Sequence, residues 1–229
     1  MAARKEDYRL RYTVERSFAW LGAFRRLLIR WEHLATVYEA SGQRGLIDVQ
    51  LTQVIPGSRV AGPARTVRCG QGDNLMVHAV LSRAQPGEVL VLTMPRPEPI
   101  ALVGDILATQ AKVRGVAAML IDAAVRDVDE LIELGLPIWA RYVRARGPKK
   151  TEVGTIDEPV MMGDAVIRAG DVVVLDGDGA VVVERERLSE VLQAARGRAD
   201  QETGKRAQLE QGELTYDLYG LRDLVERKE

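Results

Sequence analysis

The chain has 229 residues, of which 46% are apolar and 28% are charged, and its formal net charge is −1. A chain of this length and composition is expected to fold as one globular domain, here residues 1–229, with a sizeable core. The near-neutral charge, without a basic block, excludes the electrostatic footprint of a nucleic-acid-binding protein.

Cys69 is the single cysteine, which excludes an intramolecular disulfide and a thiolate metal site and indicates a reducing compartment. With only His33 and His78, a histidine-rich zinc site is not expected. The charged N-terminus lacks the apolar core of a signal peptide, and no run of about 18 apolar residues occurs. We therefore expect a cytoplasmic protein without a membrane partner.

Apolar residues recur at helical spacing from Thr13 to Ala40. This pattern predicts a long amphipathic helix that ends near Ser41 and Gly42, within an N-terminal helical segment of residues 1–45. The apolar stripe of this helix either packs on the chain's own sheet or contacts another subunit, and both interpretations stay open.

Strands and helices alternate in the middle of the chain. The patterns predict strands at 59–69, 89–94, 116–121 and 137–143, and helices at 74–83, 105–114 and 127–134. This alternation predicts an α/β core with parallel strand pairing. After Gly147 the chain changes to short β segments, in which the turn from Asp176 to Gly179 predicts a hairpin or a tight β corner.

The C-terminal part, residues 187–229, is predicted to be a helical arm. A heavily charged helical pattern runs from Arg187 to Glu210, and a second short helix is expected from Thr215 to Arg227. A helix that is polar over most of its faces gains little by packing on its own core. The arm is therefore either a solvated helix or a segment that crosses onto a neighbouring subunit.

Three charged residues carry the functional hypothesis: Asp105, and then, after 20 residues, Arg126 and Asp127 in tandem. Asp105 follows Gly104 at a predicted helix start, where an acidic residue stabilises the first turn. The N–H groups that follow it at Ile106 and Leu107 point outward from the helix start and can bind a ligand carboxylate.

Arg126 and Asp127 follow a predicted buried strand, at the strand end where ligands bind in open α/β sheets. A purely structural ion pair is the alternative interpretation. Asp122 competes as a functional carboxylate, although a turn or packing role suits its position equally well. If the three residues converge, Arg126 can hold a substrate carboxylate, and Asp127 with Asp105 can supply oxygen ligands to Mg²⁺.

A divalent cation chelated by a 2-oxo acid stabilises an enolate as a Lewis acid, so the natural reaction is bond cleavage that releases a pyruvate enolate. A Schiff-base lysine is the rival route, but Lys112 lies in mid-helix and Lys149 and Lys150 lie in a charged loop without an apolar pocket. The segment GQGDN matches no phosphate-binding consensus and predicts a turn and a helix cap. Its Asn74, or His78, could line the site, although structural roles are favoured.

From about Leu34 to Leu224 the sequence resembles the class II 4-hydroxy-4-methyl-2-oxoglutarate / 4-carboxy-4-hydroxy-2-oxoadipate aldolases of the ribonuclease-regulator-A-like (RraA-like) superfamily. The D-x20-R-D pattern followed by Glu130 is the motif of the aldolase branch, whereas the regulator branch generally lacks its first acid. The other stretches that carry the resemblance are GDNLMVHAV, PGEVLVL, GDILAT, RGVAAMLIDAAVRDVDEL, LPIWAR, AGDVVVLDGDGAVVV and KRAQLEQGELTYDLYGLR.

This resemblance implies an α-β-β-α sandwich of the swivelling-domain type with a mixed central sheet. It implies a trimer or hexamer whose active sites lie between subunits. It also implies that Asp127 binds Mg²⁺, Mn²⁺ or another divalent cation, that Asp105 holds a water of the metal, and that Arg126 binds substrate and polarises the forming enolate. Glu202, from the C-terminal helix of the neighbouring subunit, would complete the site.

In the same resemblance, the amides of Ile106 and Leu107 beside Gly104 grip the pyruvate carboxylate. Two features depart from the family pattern: the aromatic and arginine-rich N-terminal helix, and Gly204, where the arm is expected to bend.

The expected activity is cleavage of 4-hydroxy-2-oxo acids to pyruvate and a second oxo acid, with oxaloacetate decarboxylation through the same enolate. The alternatives are a non-catalytic regulator of a ribonuclease and a related lyase with another acidic substrate.

Overall fold

The computed structural model describes residues 33–226, and the predicted helical segment before His33 lies outside them. The strands are β1 (Thr52–Gln53), β2 (Val60–Arg68), β3 (Val89–Thr93), β4 (Ala101–Val103), β5 (Ala118–Val125), β6 (Ile138–Val143), β7 (Thr155–Ile156), β8 (Val160–Met162), β9 (Ala165–Ile167), β10 (Val172–Asp176) and β11 (Gly179–Val183). The α-helices are α1 (Leu34–Ala40), α2 (Leu75–Leu81), α3 (Asp105–Val113), α4 (Val128–Leu134), α5 (Leu188–Glu210), α6 (Thr215–Leu218) and α7 (Arg222–Glu226).

The strands form a mixed sheet in the order β1-β6-β5-β3-β2-β10-β11, and β8 and β9 form a separate hairpin. Strands β2, β3, β5 and β6 are parallel neighbours, and helices α2, α3 and α4 occur in the connections between them. The short strand β4 is parallel to β5, whereas β10 and β11 continue the sheet in antiparallel pairing. The predicted parallel α/β core and the hairpin at Asp176 are both present.

Three apolar clusters define the layers of the fold. The first lies between the parallel strands and helices α2, α3 and α4. The second lies between the other face of these strands, the β8–β9 hairpin and one face of β10 and β11. The third covers the opposite face of β10 and β11 with α1 and the first turns of α5. The parallel and the antiparallel part of this one sheet thus pack face to face between two layers of helices, which is the expected α-β-β-α sandwich.

Several elements differ from the patterns in their ends. Strand β5 runs on to Val125, so Asp122 lies inside the strand rather than after it. The predicted last helix is divided into α6 and α7 near Gly220. The φ of Gly220 is +64°, a conformation that does not occur in a regular α-helix. Helix α5 continues without interruption through Gly204, where a bend was expected. Along residues 33–226, none of the helices has the length and apolar character needed to cross a membrane.

Candidate functional site

The pairing of β4 with β5 brings the predicted site residues together. Val103 at the end of β4 lies opposite Val125 at the end of β5. The N–H of Arg126 then donates to the carbonyl of Val103, 3.1 Å away. Because both strands end at the same edge of the sheet, the first residues of α3 and α4 meet there. Asp105 is thereby placed beside Asp127, although the two are 22 positions apart in the sequence.

The carboxylate of Asp127 caps the start of α3 instead of its own helix. Its Oδ2 accepts a hydrogen bond of 3.2 Å from the backbone N–H of Asp105. A Cβ on Gly104 would lie 2.3 Å from the same oxygen and 3.2 Å from the Cγ of Arg126. Only glycine therefore lets the carboxylate approach the helix start so closely, which gives Gly104 a steric role.

Asp127 itself has a left-handed backbone conformation, with φ of 60° and ψ of 46°. A non-glycine residue pays for this conformation in strain, although aspartate tolerates it better than most residues. The conformation turns the chain sharply from β5 into α4. Strained residues of this kind concentrate at functional sites.

Arg126 lies over the same helix start. Its Nε is 3.5 Å from Asp127 Oδ2, and the two side chains are 44% and 34% exposed, so the pair is accessible to a ligand. A Cβ on Gly147 would lie 3.1 Å from the Nη1 of Arg126, so the loop around Gly147 also leaves room for the guanidinium.

These residues border a cavity of about 170 Å³, which is lined by Gly104, Asp105, Ile106, Leu107 and Arg126 among others. Asp127 does not line this cavity but contacts Gly104 and Asp105 beside it. Pockets for drug-sized ligands usually enclose about 300–1,000 Å³, so this cavity suits a smaller molecule.

The start of α3 presents free donors to this cavity. Among residues 33–226, no acceptor is paired with the first-turn N–H groups of Ile106 or Leu107, as is usual at a helix N-terminus. The side chain of Ile106 is 76% exposed, whereas that of Leu107 is packed in the core. These two amides and the helix dipole favour an anionic group.

The rest of the cavity lining was only partly anticipated from the sequence. Asn74 and His78, considered above as minor candidates, both line it, and so does Lys150. The sequence placed Lys150 in a charged loop without a pocket. That loop returns to the helix start of α2 through long-range backbone pairing between Asp73 and Lys149, which no local pattern could reveal.

Asn74 is buried, and its side-chain amide is only half satisfied. Its Nδ2 donates to the carbonyl of Leu102 at 2.9 Å, which fixes the orientation of the amide. Its Oδ1 is a buried acceptor without a partner, the single such side-chain atom found in the described part of the chain. Leaving a buried polar atom unpaired costs about 1–3 kcal/mol, so a donor from a ligand or water is expected at this position.

Asp122 is not part of the site. It is buried within β5, beside the register shift of the β5–β6 pair, and its carboxylate accepts a hydrogen bond from Arg141 on β6. This pairing satisfies a buried charge. The structural interpretation of Asp122 therefore explains its position.

Glu202 is not brought to the cavity within one chain. It lies on α5 and pairs with Arg198, one turn earlier, at 3.0 Å. Arg198 also approaches Glu39 of α1 at 3.9 Å, which places this part of α5 beside α1. The expected contribution of Glu202 from a neighbouring subunit stays a prediction.

The carboxylates at the start of α3, beside the cavity, fit a divalent cation that prefers oxygen ligands. Asp127 and Asp105 place two carboxylates at one helix start, and Mg²⁺ needs only one or two carboxylates besides waters and substrate oxygens. Over residues 33–226, no group of three or more His, Cys, Asp or Glu side chains could hold a metal ion. The two carboxylates alone would leave the rest of the coordination shell to waters and substrate oxygens.

Comparison with known proteins adds the family. The family model for RraA-like proteins, described as aldolase/RraA, matches residues 34–182. The chain belongs to the RraA-like family. A relative from Halalkalibacterium halodurans, named "Putative 4-hydroxy-4-methyl-2-oxoglutarate aldolase", is 38% identical over 150 residues, which cover 65% of this chain and 71% of the relative.

Two solved structures of RraA proteins share the fold. One is RraAS2 of Streptomyces coelicolor, described as an unusual member of an RNase ES inhibitor family. It has a TM-score of 0.71 and 30% identity, with 81% of this chain and 96% of that chain covered. The other is an RNA-processing inhibitor from Thermus thermophilis, with a TM-score of 0.55 and 27% identity over 61% of this chain and 82% of that chain. The RraA-like family thus contains proteins named for two different activities.

Proposed function

We propose that this RraA-like protein is a divalent-metal-dependent aldolase that cleaves 4-hydroxy-2-oxo acids, such as 4-hydroxy-4-methyl-2-oxoglutarate, into pyruvate and a second oxo acid. Decarboxylation of oxaloacetate is expected at the same site, because loss of carbon dioxide leaves the same pyruvate enolate. The convergence of Asp105, Arg126 and Asp127 at the start of α3 carries this proposal. A regulator that only binds another protein does not need two carboxylates and a guanidinium at one helix start beside a small cavity.

Each group has a chemical task in this reaction. The free N–H groups of Ile106 and Leu107 hold the C1 carboxylate of the substrate at the helix start. The guanidinium of Arg126 donates to the substrate oxygens and stabilises the negative charge that develops on the enolate. Asp127, with Asp105, would hold a divalent cation, which would supply Lewis-acid stabilisation of the same charge.

Cleavage of the C3–C4 bond sends its electron pair into the pyruvate enolate. The C4 hydroxyl loses its proton in the same step and becomes the carbonyl of the second oxo acid. Asp105 orients a water that accepts this proton, and Glu202 of a neighbouring subunit assists it in the assembled protein. Protonation of the enolate at C3 then yields pyruvate.

Pyruvate release from 4-hydroxy-4-methyl-2-oxoglutarate and from oxaloacetate, with Mg²⁺ and with EDTA, tests the proposal. Asp127→Asn keeps an acceptor for the N–H of Asp105 but removes the charge. We expect it to lower kcat/KM for both substrates by about 100-fold or more, as for other groups that stabilise developing charge. The exposed Asp129, two residues later, offers the control Asp129→Asn, which should match the wild type.

Two results would contradict the aldolase: no pyruvate from either substrate with Mg²⁺, or an Asp127→Asn variant as active as the wild type.

The second candidate is a regulator of ribonuclease activity, which the names of the two structural relatives favour. It is tested by adding excess protein to an E-type ribonuclease. Inhibition that Asp127→Asn leaves intact would support the regulator, whereas an unchanged cleavage rate would exclude it.

A further inference from the structure

We propose that Lys150 binds the second carboxylate of a dicarboxylic substrate and so makes this cavity selective for 2-oxo dicarboxylates over their monocarboxylic analogues. This inference rests on the proposed function, because it assumes that a 2-oxo acid occupies the cavity with its C1 carboxylate at the start of α3. Lys150 is then a specificity-determining residue at the other end of the same substrate.

The loop that carries Lys150 is tightly fixed. The N–H of Lys149 donates to the carbonyl of Gly72 at 2.9 Å, and the N–H of Asn74 donates to the carbonyl of Lys149 at 3.0 Å. The buried carboxylate of Asp73 accepts hydrogen bonds from the N–H groups of Thr151 at 2.6 Å and Glu152 at 3.0 Å. The backbone on both sides of Lys150 is thus anchored to the start of α2, which fixes the position from which this exposed side chain reaches the cavity.

The ammonium group of Lys150 has no competing partner in the described part of the chain. Lys150 lines the cavity, and no carboxylate of residues 33–226 forms an ion pair with it. Arg126, the other cation of the cavity, already approaches Asp127. The cavity is therefore lined by two cationic side chains, Arg126 after β5 and Lys150 on the loop, which matches a ligand with two carboxylates.

The unpaired Oδ1 of Asn74 is an independent indication that a ligand occupies this side of the cavity. Asn74 is 4% exposed, lines the cavity together with Lys150, and needs a donor that the described residues do not provide. Because Oδ1 is an acceptor, it cannot bind the carboxylate directly; in this proposal a water donates both to Oδ1 and to the carboxylate of the ligand.

Two non-cleavable 2-oxo acids isolate the second carboxylate. 2-Oxoglutarate and 2-oxopentanoate have the same five-carbon chain, and only the first carries a carboxylate at C5. Calorimetric titration in the presence of Mg²⁺ should show that Lys150→Met weakens binding of 2-oxoglutarate by about 10- to 100-fold, the value of one charge-assisted hydrogen bond. Binding of 2-oxopentanoate should change by less than about twofold, since one uncharged contact is worth less than that bond.

Lys149→Met is the matched control, because it makes the same charge change one residue away at an exposed side chain that does not line the cavity. It should leave both titrations unchanged. Equal weakening of the two ligands by Lys150→Met, equal effects of the two variants, or no effect would each overturn the proposal.

The titrations do not depend on turnover. A wild type that binds 2-oxoglutarate through Lys150 but releases no pyruvate from cleavable substrates contradicts the aldolase and leaves the second-carboxylate subsite in place. Pyruvate release without Lys150-dependent selectivity would instead support the aldolase and contradict the second-carboxylate subsite.

Discussion

Asp127 combines a strained backbone with a carboxylate that belongs to the candidate site. Its left-handed backbone costs a non-glycine residue about 1–2 kcal/mol. The fold holds the residue there because its carboxylate accepts the N–H of Asp105 and packs on Gly104. A glycine at 127 would relieve the strain, but it would also remove the carboxylate that joins the two helix starts.

The steric role of Gly104 can be tested by adding a single methyl group. Gly104→Ala places a methyl group 2.3 Å from Asp127 Oδ2, so the carboxylate must move away from the start of α3. We expect kcat/KM for pyruvate release to fall by about 100-fold, because displacements near 1 Å in a reacting site cost that much. Steady-state kinetics with a thermal unfolding curve separate this loss from misfolding.

Gly197→Ala is the control for that variant. Gly197 lies in α5, where an added Cβ meets no atom within 4 Å, so alanine should keep full activity and raise the stability by about 0.5–1 kcal/mol. Wild-type activity in Gly104→Ala would show that the close approach of Asp127 is not required.

The buried Asp73 joins two elements, the start of α2 and the loop of Lys150. Burial alone would raise the pKa of Asp73, but hydrogen bonds from the N–H groups of Thr151, Leu75 and Glu152 outweigh burial and lower this pKa below its usual value. The ionised form is therefore bound more favourably in the folded protein than in the unfolded chain. Its stabilisation is complete above the unfolded pKa and is lost as the pH falls through the lower, folded pKa.

This linkage predicts a pH-dependent effect of Asp73→Asn. At neutral pH we expect the variant to lose about 2–3 kcal/mol of unfolding free energy, since hydrogen bonds to a charged, buried acceptor are removed. The difference from the wild type should shrink as the pH falls below about 4, the unfolded pKa of aspartate. Urea unfolding at a series of pH values measures it. A difference that stays constant, or grows, in acid would contradict the assigned role of Asp73.

Gly204 tests whether α5 is straight. The helix runs through this glycine, and an added Cβ meets no atom within 4 Å. In a straight helix Gly204→Ala should therefore raise the unfolding free energy by about 0.5–1 kcal/mol. Chemical denaturation measures the change, and a destabilised variant would instead indicate the bend that the sequence pattern predicted.

The sequence predicted local features of the fold and the site better than long-range ones. The parallel strands, the hairpin at Asp176 and the start of α3 at Asp105 follow from periodicity and turn residues, which act over a few neighbours. Asp122 was expected just after the strand but lies inside it, because its role depends on Arg141 on the neighbouring strand. Lys150 was dismissed because the loop that brings it to Asn74 is fixed by pairing across about 75 residues, and no periodic pattern reports such pairing.

Within the described residues 33–226, the C-terminal arm packs on its own chain near its beginning. The buried residues of α5 are Leu188, Val191 and Ala195, all in its first eight residues. Further along, large apolar side chains are exposed on the described surface, among them Leu214 and Leu224. Exposed apolar side chains beyond a mostly polar helix favour the interpretation that the arm crosses onto a neighbouring subunit.

A shared active site predicts complementation between inactive variants. If Glu202 of one subunit completes the site of the next, Arg126→Ala and Glu202→Gln damage different parts of each site. Mixed oligomers formed by refolding the two variants together then contain some sites with both intact residues. For random assembly at equal amounts, we expect about a quarter of the wild-type pyruvate release to return.

The combination of Arg126→Ala with Asp127→Asn is the control for this mixing. Both residues are contributed to a site by the same chain. No mixed site therefore contains both intact groups, and activity should stay absent. Recovery in the first mixture alone shows that the site lies between subunits. Without recovery there, the pairing of Glu202 with Arg198 on the surface of α5 is its whole role.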